Sequence, residues 1–389
     1  MSRLRDRLVE RIHRQGPIPF DAFVDAALYD PVDGFFARGR GAGRAGRDFV
    51  TSPEVGSLFG ALVCRALDDA WDTLGAPDPY LVVEAGAGNG RLARDVLRAA
   101  PRCARALRLV LVERSRALRD EQRERLEIEP VEDALGPALP GADGEAPLPV
   151  ERAGPIVTAL DELPAIGLEG VVLANELLDN LPFRLVERSA TGWQEVRVGV
   201  DDAGTLVEVM VPAPVELAVE AEESTAGVVV AAGTRLPLPT GLGAWLAECA
   251  GMLRRGYLVV IDYADDVASV AARGQSEWLR TYGHHARGAP ALEAPGEQDI
   301  TYDVPAEALR LAAARVGLRL VAETTQADWL RSLGIDALVE EARAAWRERA
   351  HVGDLDAVTA RSRVGEADAL LDPSGLGAHR VFVFTKGLR

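Results

Sequence analysis

Tyr80-Leu-Val-Val-Glu-Ala-Gly-Ala-Gly-Asn-Gly90, followed at once by Arg91 and a run of alternating apolar and charged residues to Ala100, is the stretch that decides the fold. A short apolar run stops on an acid, the chain turns through three glycines, and a helical pattern begins. Glycine lacks the Cβ that would keep a ligand off the backbone, so such a turn lets bare peptide groups approach a bound molecule. Read without a ligand, the same string is a tight strand-to-helix turn.

The glycine spacing separates one nucleotide-like ligand from another. A dinucleotide fingerprint, G-x-G-x-x-G, needs glycine at position 91, which is Arg91. The order Glu84, Gly86, Gly88, Gly90 is instead the form that takes S-adenosylmethionine, which has no pyrophosphate to cradle. A second acid, Glu113, ends the apolar run Leu109-Val-Leu-Val-Glu113, where it can accept hydrogen bonds from two ribose hydroxyls.

Outward from this turn, strand and helix signals alternate, which predicts a parallel sheet covered by helices. Strands are expected at Tyr80 to Glu84, Leu107 to Glu113, Ile156 to Ala159, Gly170 to Ala174 and Gly256 to Asp262. Leu318 to Thr324 and Val381 to Thr385 read as a late antiparallel edge hairpin, with a mostly helical stretch between them. The expected fold is therefore α/β, a Rossmann-like, doubly wound and mostly parallel sheet. Residues 1–78 form an N-terminal helical segment before it, and residues 79–389 the cofactor-binding domain with insertions at about 185–250, 264–305 and 326–377. The first of these alternates like a small antiparallel excursion, the second reads as a loop punctuated by glycine and proline, and Gly136 to Pro149 as a surface loop.

Several function classes are set aside by composition. A formal charge of −17 disfavours a non-specific nucleic-acid binder. Lys386 is the sole lysine, which removes lysine nucleophile chemistry. Cys64, Cys103 and Cys249 have neither disulfide nor zinc spacing, so no metal is expected and a reducing compartment fits. No apolar stretch is long enough for a membrane span. Asp6 and Glu10 are wrong for a transit peptide, so Met1 to Arg14 reads as a helix of the mature chain and the expected location is cytoplasmic.

The motifs together resemble the MidA-like family of S-adenosylmethionine-dependent methyltransferases, which includes protein arginine methyltransferases of the respiratory complex I assembly type. The resemblance runs through Gly16-Pro-Ile-Pro-Phe20, Ala27-Leu-Tyr-Asp-Pro31, Asp48-Phe-Val-Thr-Ser-Pro-Glu54, the glycine turn, and Ala174-Asn-Glu-Leu-Leu-Asp-Asn-Leu-Pro182. It continues in Ile261-Asp-Tyr263 and Pro295-Gly-Glu-Gln-Asp-Ile-Thr301. Thr158 departs from it, standing where the family often carries tryptophan, and so does the variable loop Gly39 to Arg47. The resemblance implies a class I methyltransferase fold, a methyl acceptor that is an arginine-containing protein, and a segment holding Thr51, Ser52 and Glu54 that folds over the cofactor. The bland reading of that segment is a helix start capped by Ser52 with Pro53 at its first position.

An arginine acceptor is a cation, and carboxylates hold it best by bidentate pairing. Asn175-Glu176-Leu-Leu-Asp179 follows the fourth strand and supplies two acids at i and i+3, which share a face if the segment turns helically. The bland alternative is a helix start with Asn175 as its cap. Tyr282 and His284 lie in the loop after the fifth strand, and His284 is a further candidate for contact with substrate or for proton transfer. A small-molecule methyltransferase, or an assembly factor that binds S-adenosylmethionine without turnover, remains as an alternative. Oligomeric state is not legible.

Overall fold

The computed structural model describes residues 3–39, 51–136, 152–283, 286–352 and 354–388. The chain divides into two compact units, one made of Val50–Asn175, Cys249–Ile261 and Leu318–Arg389, the other of Met1–Phe49, Glu176–Glu248 and Asp262–Gly317.

The first unit is built on a seven-stranded sheet. Its strands are β1 (Tyr80–Ala85), β2 (Leu107–Val112), β3 (Ile156–Leu160), β4 (Leu168–Asn175), β5 (Leu253–Asp262), β6 (Arg319–Thr325) and β7 (Arg380–Lys386). They lie in the order β3-β2-β1-β4-β5-β7-β6. Pairs from β3 through β5 are parallel, and β6 runs antiparallel to β7. Every residue of β1 and β2 is buried, which is why these strands read as continuous apolar runs without alternation. The order reverses between β1 and β4, and in open α/β sheets that reversal opens a crevice at the strands' carboxyl ends.

One face of the sheet packs on the helix Ser57–Thr73, whose Leu58, Phe59, Leu62, Val63 and Leu67 recur at helical spacing and are buried with Val82, Leu109 and Val171. The helix after the glycine turn spans Arg91–Arg98, two residues shorter than its pattern suggests. Ala100 takes a positive φ of 56° and Pro101 follows, and both stop a helix.

In the second unit, the excursion near residue 185 is a five-stranded antiparallel sheet. Gly192–Val200 pairs with Arg184–Ser189, with Leu206–Pro212 and with Ile18–Pro19, while Arg184–Ser189 also pairs with Arg235–Leu238. The N-terminal helix Arg3–Gln15 buries Leu4, Leu8 and Ile12, and Arg7 pairs with Asp30 and Asp33 at 2.5 and 2.6 Å. The expected loop at 264–305 carries structure of its own: Leu279–Gly283 pairs with Ala286–Arg287 and with Asp299–Tyr302. These strands are too short to show periodicity between Gly283, Pro290 and Pro295, yet all four residues of Asp299–Tyr302 are buried. Most of the Gly136 to Pro149 and Gly39 to Arg47 stretches, and His284, lie outside the described residues.

Candidate active site

β1 ends at the crevice, and the chain leaves it through Gly86, Gly88 and Gly90, all in the left-handed region at φ 70°, 52° and 76°. The turn is fixed from both sides. Gly86 and Ala87 donate their backbone N–H groups to the Val112 carbonyl at 2.9 and 3.0 Å, which docks it on the end of β2. The helix Arg116–Arg125 supplies Gln122, whose Nε2 donates to the Gly88 carbonyl at 2.7 Å, and Arg125, which donates to the Asn89 carbonyl at 3.2 Å. A Cβ added at Gly88 would meet no heavy atom within 4 Å, so the turn presents open space there. Gln122 and Arg125 carry no motif in the sequence. Their only signal is a polar residue on the inner side of a helix, since Gln122 is fully buried.

Two acids line this turn. Glu113, just past β2, accepts from Gly88 N–H at 3.0 Å and from Ser115 N–H at 2.8 Å. Burial raises its carboxyl above the usual range, against the lowering effect of those two backbone bonds. Glu84 is buried, and its carboxyl is pushed up to about 8 by burial and then by the Glu113 charge. The pair thus sets two carboxyls, each biased toward its protonated form, beside a bare backbone turn. It suits a ligand that brings hydroxyl donors and a positive charge together.

The Thr51–Glu54 segment reaches the same turn. Glu54 is buried, accepts from Asn89 Nδ2 at 3.2 Å, and lies 3.5 Å from the Arg91 guanidinium. Ser52 is not the helix cap. Thr51 occupies the cap position of the short helix Ser52–Val55 without a side-chain capping bond, and Ser52 Oγ donates to Gln326 Oε1 at 2.9 Å instead. Fully buried, the Ser52 hydroxyl satisfies itself on Gln326, a residue 274 positions away that no local pattern reveals.

The model of a family of S-adenosyl-L-methionine-dependent methyltransferases matches residues 62–324, well over half of the chain. The chain belongs to this family. A Burkholderia thailandensis protein solved with bound S-adenosyl-homocysteine is similar across the whole methyltransferase, with 30% identity, a TM-score of 0.79, and coverage of 99% of this chain and 92% of that one. The zebrafish mitochondrial protein arginine methyltransferase NDUFAF7 is 29% identical over 350 residues, covering 86% of this chain and 77% of its own. The human protein of the same name is 27% identical over 344 residues, covering 85% and 73%. The fold is accordingly that of the S-adenosylmethionine-dependent enzymes, and S-adenosylmethionine is the cofactor.

The expectation of a cytoplasmic location is corrected by these relatives, which are named as mitochondrial. Scattered free cysteines do not distinguish one reducing compartment from another. Among the described residues, no helix of the methyltransferase is long and apolar enough to cross a membrane, and no group of three or more potential ligands could hold a metal.

The acid-bearing segment after β4 departs from the helical reading. Glu176 takes a left-handed φ of 52°, and only a single 3-10 turn, Leu178–Asn180, follows. Glu176 and Asp179 therefore do not share a helical face, and Asn175 does not cap a helix. The cause is Asp262, at the end of β5. Its buried carboxylate accepts from Leu177 and Leu178 N–H at 3.0 and 2.7 Å through one oxygen, and from Tyr263 N–H at 2.8 Å through the other. These bonds take the N–H groups that the Asn175 side chain would have to accept from as a helix cap. Asp179 is buried and accepts from Thr301 Oγ1 at 2.6 Å, while its other oxygen is buried without a partner among the described residues. Burial pushes the Asp179 carboxyl up to about 6, against the lowering effect of the Thr301 hydrogen bond and the Arg280 charge, and burial with the Asp179 charge pushes the Asp262 carboxyl well above its usual range. Asn180 bridges to Asp299 at 3.0 Å and to the Ile300 carbonyl at 3.1 Å, which joins this segment to the motif ending at Thr301.

Proposed function

We propose that this methyltransferase transfers a methyl group to a guanidino nitrogen of a protein arginine, with Glu176 and Asp179 as the acids that receive the acceptor. The observation that carries the reading is the acid segment itself. Glu176 is held in a backbone conformation that costs a non-glycine residue about 1 kcal/mol or more, and such cost persists where the surroundings enforce it. Asp262 supplies that enforcement through the two N–H groups that follow Glu176. Burial, and then the Asp179 and Glu176 charges, raise the Asp262 carboxyl's affinity for positive charge. A guanidinium answers that demand, and the zebrafish and human relatives are named protein arginine methyltransferases.

Bound S-adenosylmethionine supplies a methyl group on a sulfonium, open to in-line displacement. Glu84, Gly86, Gly88, Gly90 and Glu113 hold it, with Thr51, Ser52 and Glu54 as the adjoining wall. The Glu176 carboxylate pairs with the guanidinium and fixes the attacking nitrogen, which supplies orientation, the largest requirement of such a reaction. One N–C bond forms, the sulfur–methyl bond breaks, and a proton leaves the attacking nitrogen. Asp179, whose carboxyl titrates near 6, is poised to take that proton and pass it to solvent near neutral pH. Asn175, which precedes Glu176 directly, and His284 are further candidates to orient the acid and to take the proton.

The test is incubation with methyl-labelled S-adenosylmethionine and lysate of the source organism, followed by mapping of the label. Label on a protein arginine, reduced at least 100-fold by Glu176→Gln, is the expected result. Label confined to the small-molecule fraction overturns the reading.

A further inference from the structure

The helices Ile335–Arg349 and Leu355–Leu370 pack against each other, within the insertion expected at 326–377. Between them lies a groove of about 540 Å³ lined chiefly by Glu340, Arg343, Trp346, Arg347, Arg361 and Val364. Nothing in the cofactor or acid segments uses these residues. The Arg361 guanidinium stands 5.5 Å from the centre of the Trp346 ring, and Arg343 pairs with Glu340 at 2.6 Å. Arg347 donates through Nε to the Arg343 carbonyl at 3.3 Å. Among the described residues, neither Arg347 nor Arg361 has a carboxylate within 4.0 Å. In a chain of net charge −17, two guanidiniums without a counter-ion on one groove are a local reversal of sign. The same hairpin exposes Leu355 (84%) and Val358 (57%), which precede Arg361 at steps of three residues and so line one side of their helix.

We infer that this groove docks an acidic, extended polypeptide segment of the acceptor protein, away from the residue that is methylated. The inference rests on the reading above in taking the acceptor to be a protein, and it does not depend on which residue is modified. Charge spacing argues for a peptide over a small anion. Arg343 and Arg347 lie four residues apart on a helix, an axial step of about 6 Å. Alternate residues of an extended chain are about 6.6 Å apart, so one peptide carboxylate can meet Arg347 while the next shares Arg343 with Glu340. One face of Trp346 carries Arg361, so the ring supports that cation in the groove. Apolar residues of the peptide then reach Leu355 and Val358. The groove is favourable ground for an acidic segment in a chain of net charge −17.

The experiment uses the full chain and the fluorescein-labelled peptide Gly-Glu-Val-Glu-Val-Glu-Gly, read by fluorescence anisotropy at about 50 mM salt. Saturable binding is expected, weakened by added salt, and about tenfold weaker in the double variant Arg347→Glu, Arg361→Glu. S-adenosylmethionine affinity by calorimetry should be unchanged in that variant, which certifies its fold. Equal affinity of parent and double variant overturns the inference. So does equal binding of the peptide with glutamine at each glutamate position, and so does displacement by pyrophosphate at the peptide's own concentration, which would mark a small-anion site. Because the readout involves no methyl transfer, loss of peptide binding with arginine labelling intact removes this inference alone. Peptide binding without arginine labelling removes only the assignment of the acceptor.

Discussion

Glu113 grips the glycine turn by its backbone: the carboxylate accepts from Gly88 N–H at 3.0 Å, so the acid read as a ribose partner also fixes the loop that approaches the cofactor. Gly88 has φ +52°, and a Cβ added there would have no heavy atom within 4 Å. Gly88→Val therefore meets two separate penalties. The left-handed backbone costs a β-branched residue about 1–2 kcal/mol, which a domain of this size survives. The isopropyl group occupies space left for ligand. S-adenosylmethionine affinity by calorimetry should fall at least 100-fold while thermal unfolding remains cooperative. An affinity equal to that of the parent would remove the glycine turn from the cofactor site.

What the sequence made legible was local. The run from Tyr80 to Gly90 identifies its strand, turn and ligand class because all three are written within eleven consecutive residues. The parallel strands are legible because burial on both faces makes them uniformly apolar. The segment from Asn175 to Asp179 was misread because its shape is dictated from elsewhere. Asp262, some 84 positions on, takes the N–H groups of Leu177 and Leu178, and no pattern inside the segment records that. Gln122, Gln326 and Thr301 escaped notice as partners for the same reason.

Glu84 gives the cofactor site a pH dependence. Its carboxyl is pushed up to about 8 by burial and by the Glu113 charge, against an ordinary value of 4.5. Below about pH 8 the group holds a proton in the free enzyme, and a positively charged ligand that needs the carboxylate must expel it. Affinity for S-adenosylmethionine should therefore rise by up to tenfold per pH unit between pH 6 and 8 and level off above. Calorimetry in buffers of different ionisation enthalpy should show a proton released on binding at pH 6.5. Glu84→Gln should flatten the profile, and a profile that stays steep in that variant would assign the proton to another group.

Asp179 makes a prediction about stability, with the opposite sense from a salt-bridged acid. In the unfolded chain it ionises near 3.8, while in the fold its carboxyl holds a proton to about 6. The unfolded state thus binds fewer protons between those values, and stability is lost as pH rises through that window. Asp179→Asn keeps an oxygen to accept from Thr301 and removes the charge. Its Tm relative to the parent should climb from pH 4 to pH 7 and then stay level. A Tm difference independent of pH would show that Asp179 ionises normally in the fold.

Gly56 and Glu366 are locked by contact rather than by backbone conformation. Gly56 has φ 171°, extended geometry open to any residue, yet a Cβ there would lie 1.9 Å from the Glu366 carboxyl carbon. That carboxylate is buried and accepts from Leu58 N–H and from Ser362 Oγ, both at 3.0 Å, so it closes the first turn of the helix Ser57–Thr73. Gly56→Ala must push it away and leave the Leu58 N–H without its acceptor, a loss of about 1–3 kcal/mol. Glu366→Ala alone forfeits the same hydrogen bond. In the double variant the clash has no second partner, so the two losses should fall short of adding by about 1 kcal/mol or more in denaturant titrations. Strict additivity would mean that the steric contact is relieved elsewhere and that Glu366 acts on Leu58 alone. The helix begins three residues after Glu54, which touches Asn89 in the glycine turn, so Gly56→Ala should also weaken S-adenosylmethionine binding. Glu366→Gln, which keeps an oxygen for Leu58 and leaves Gly56 unobstructed, should leave that affinity within about threefold of the parent.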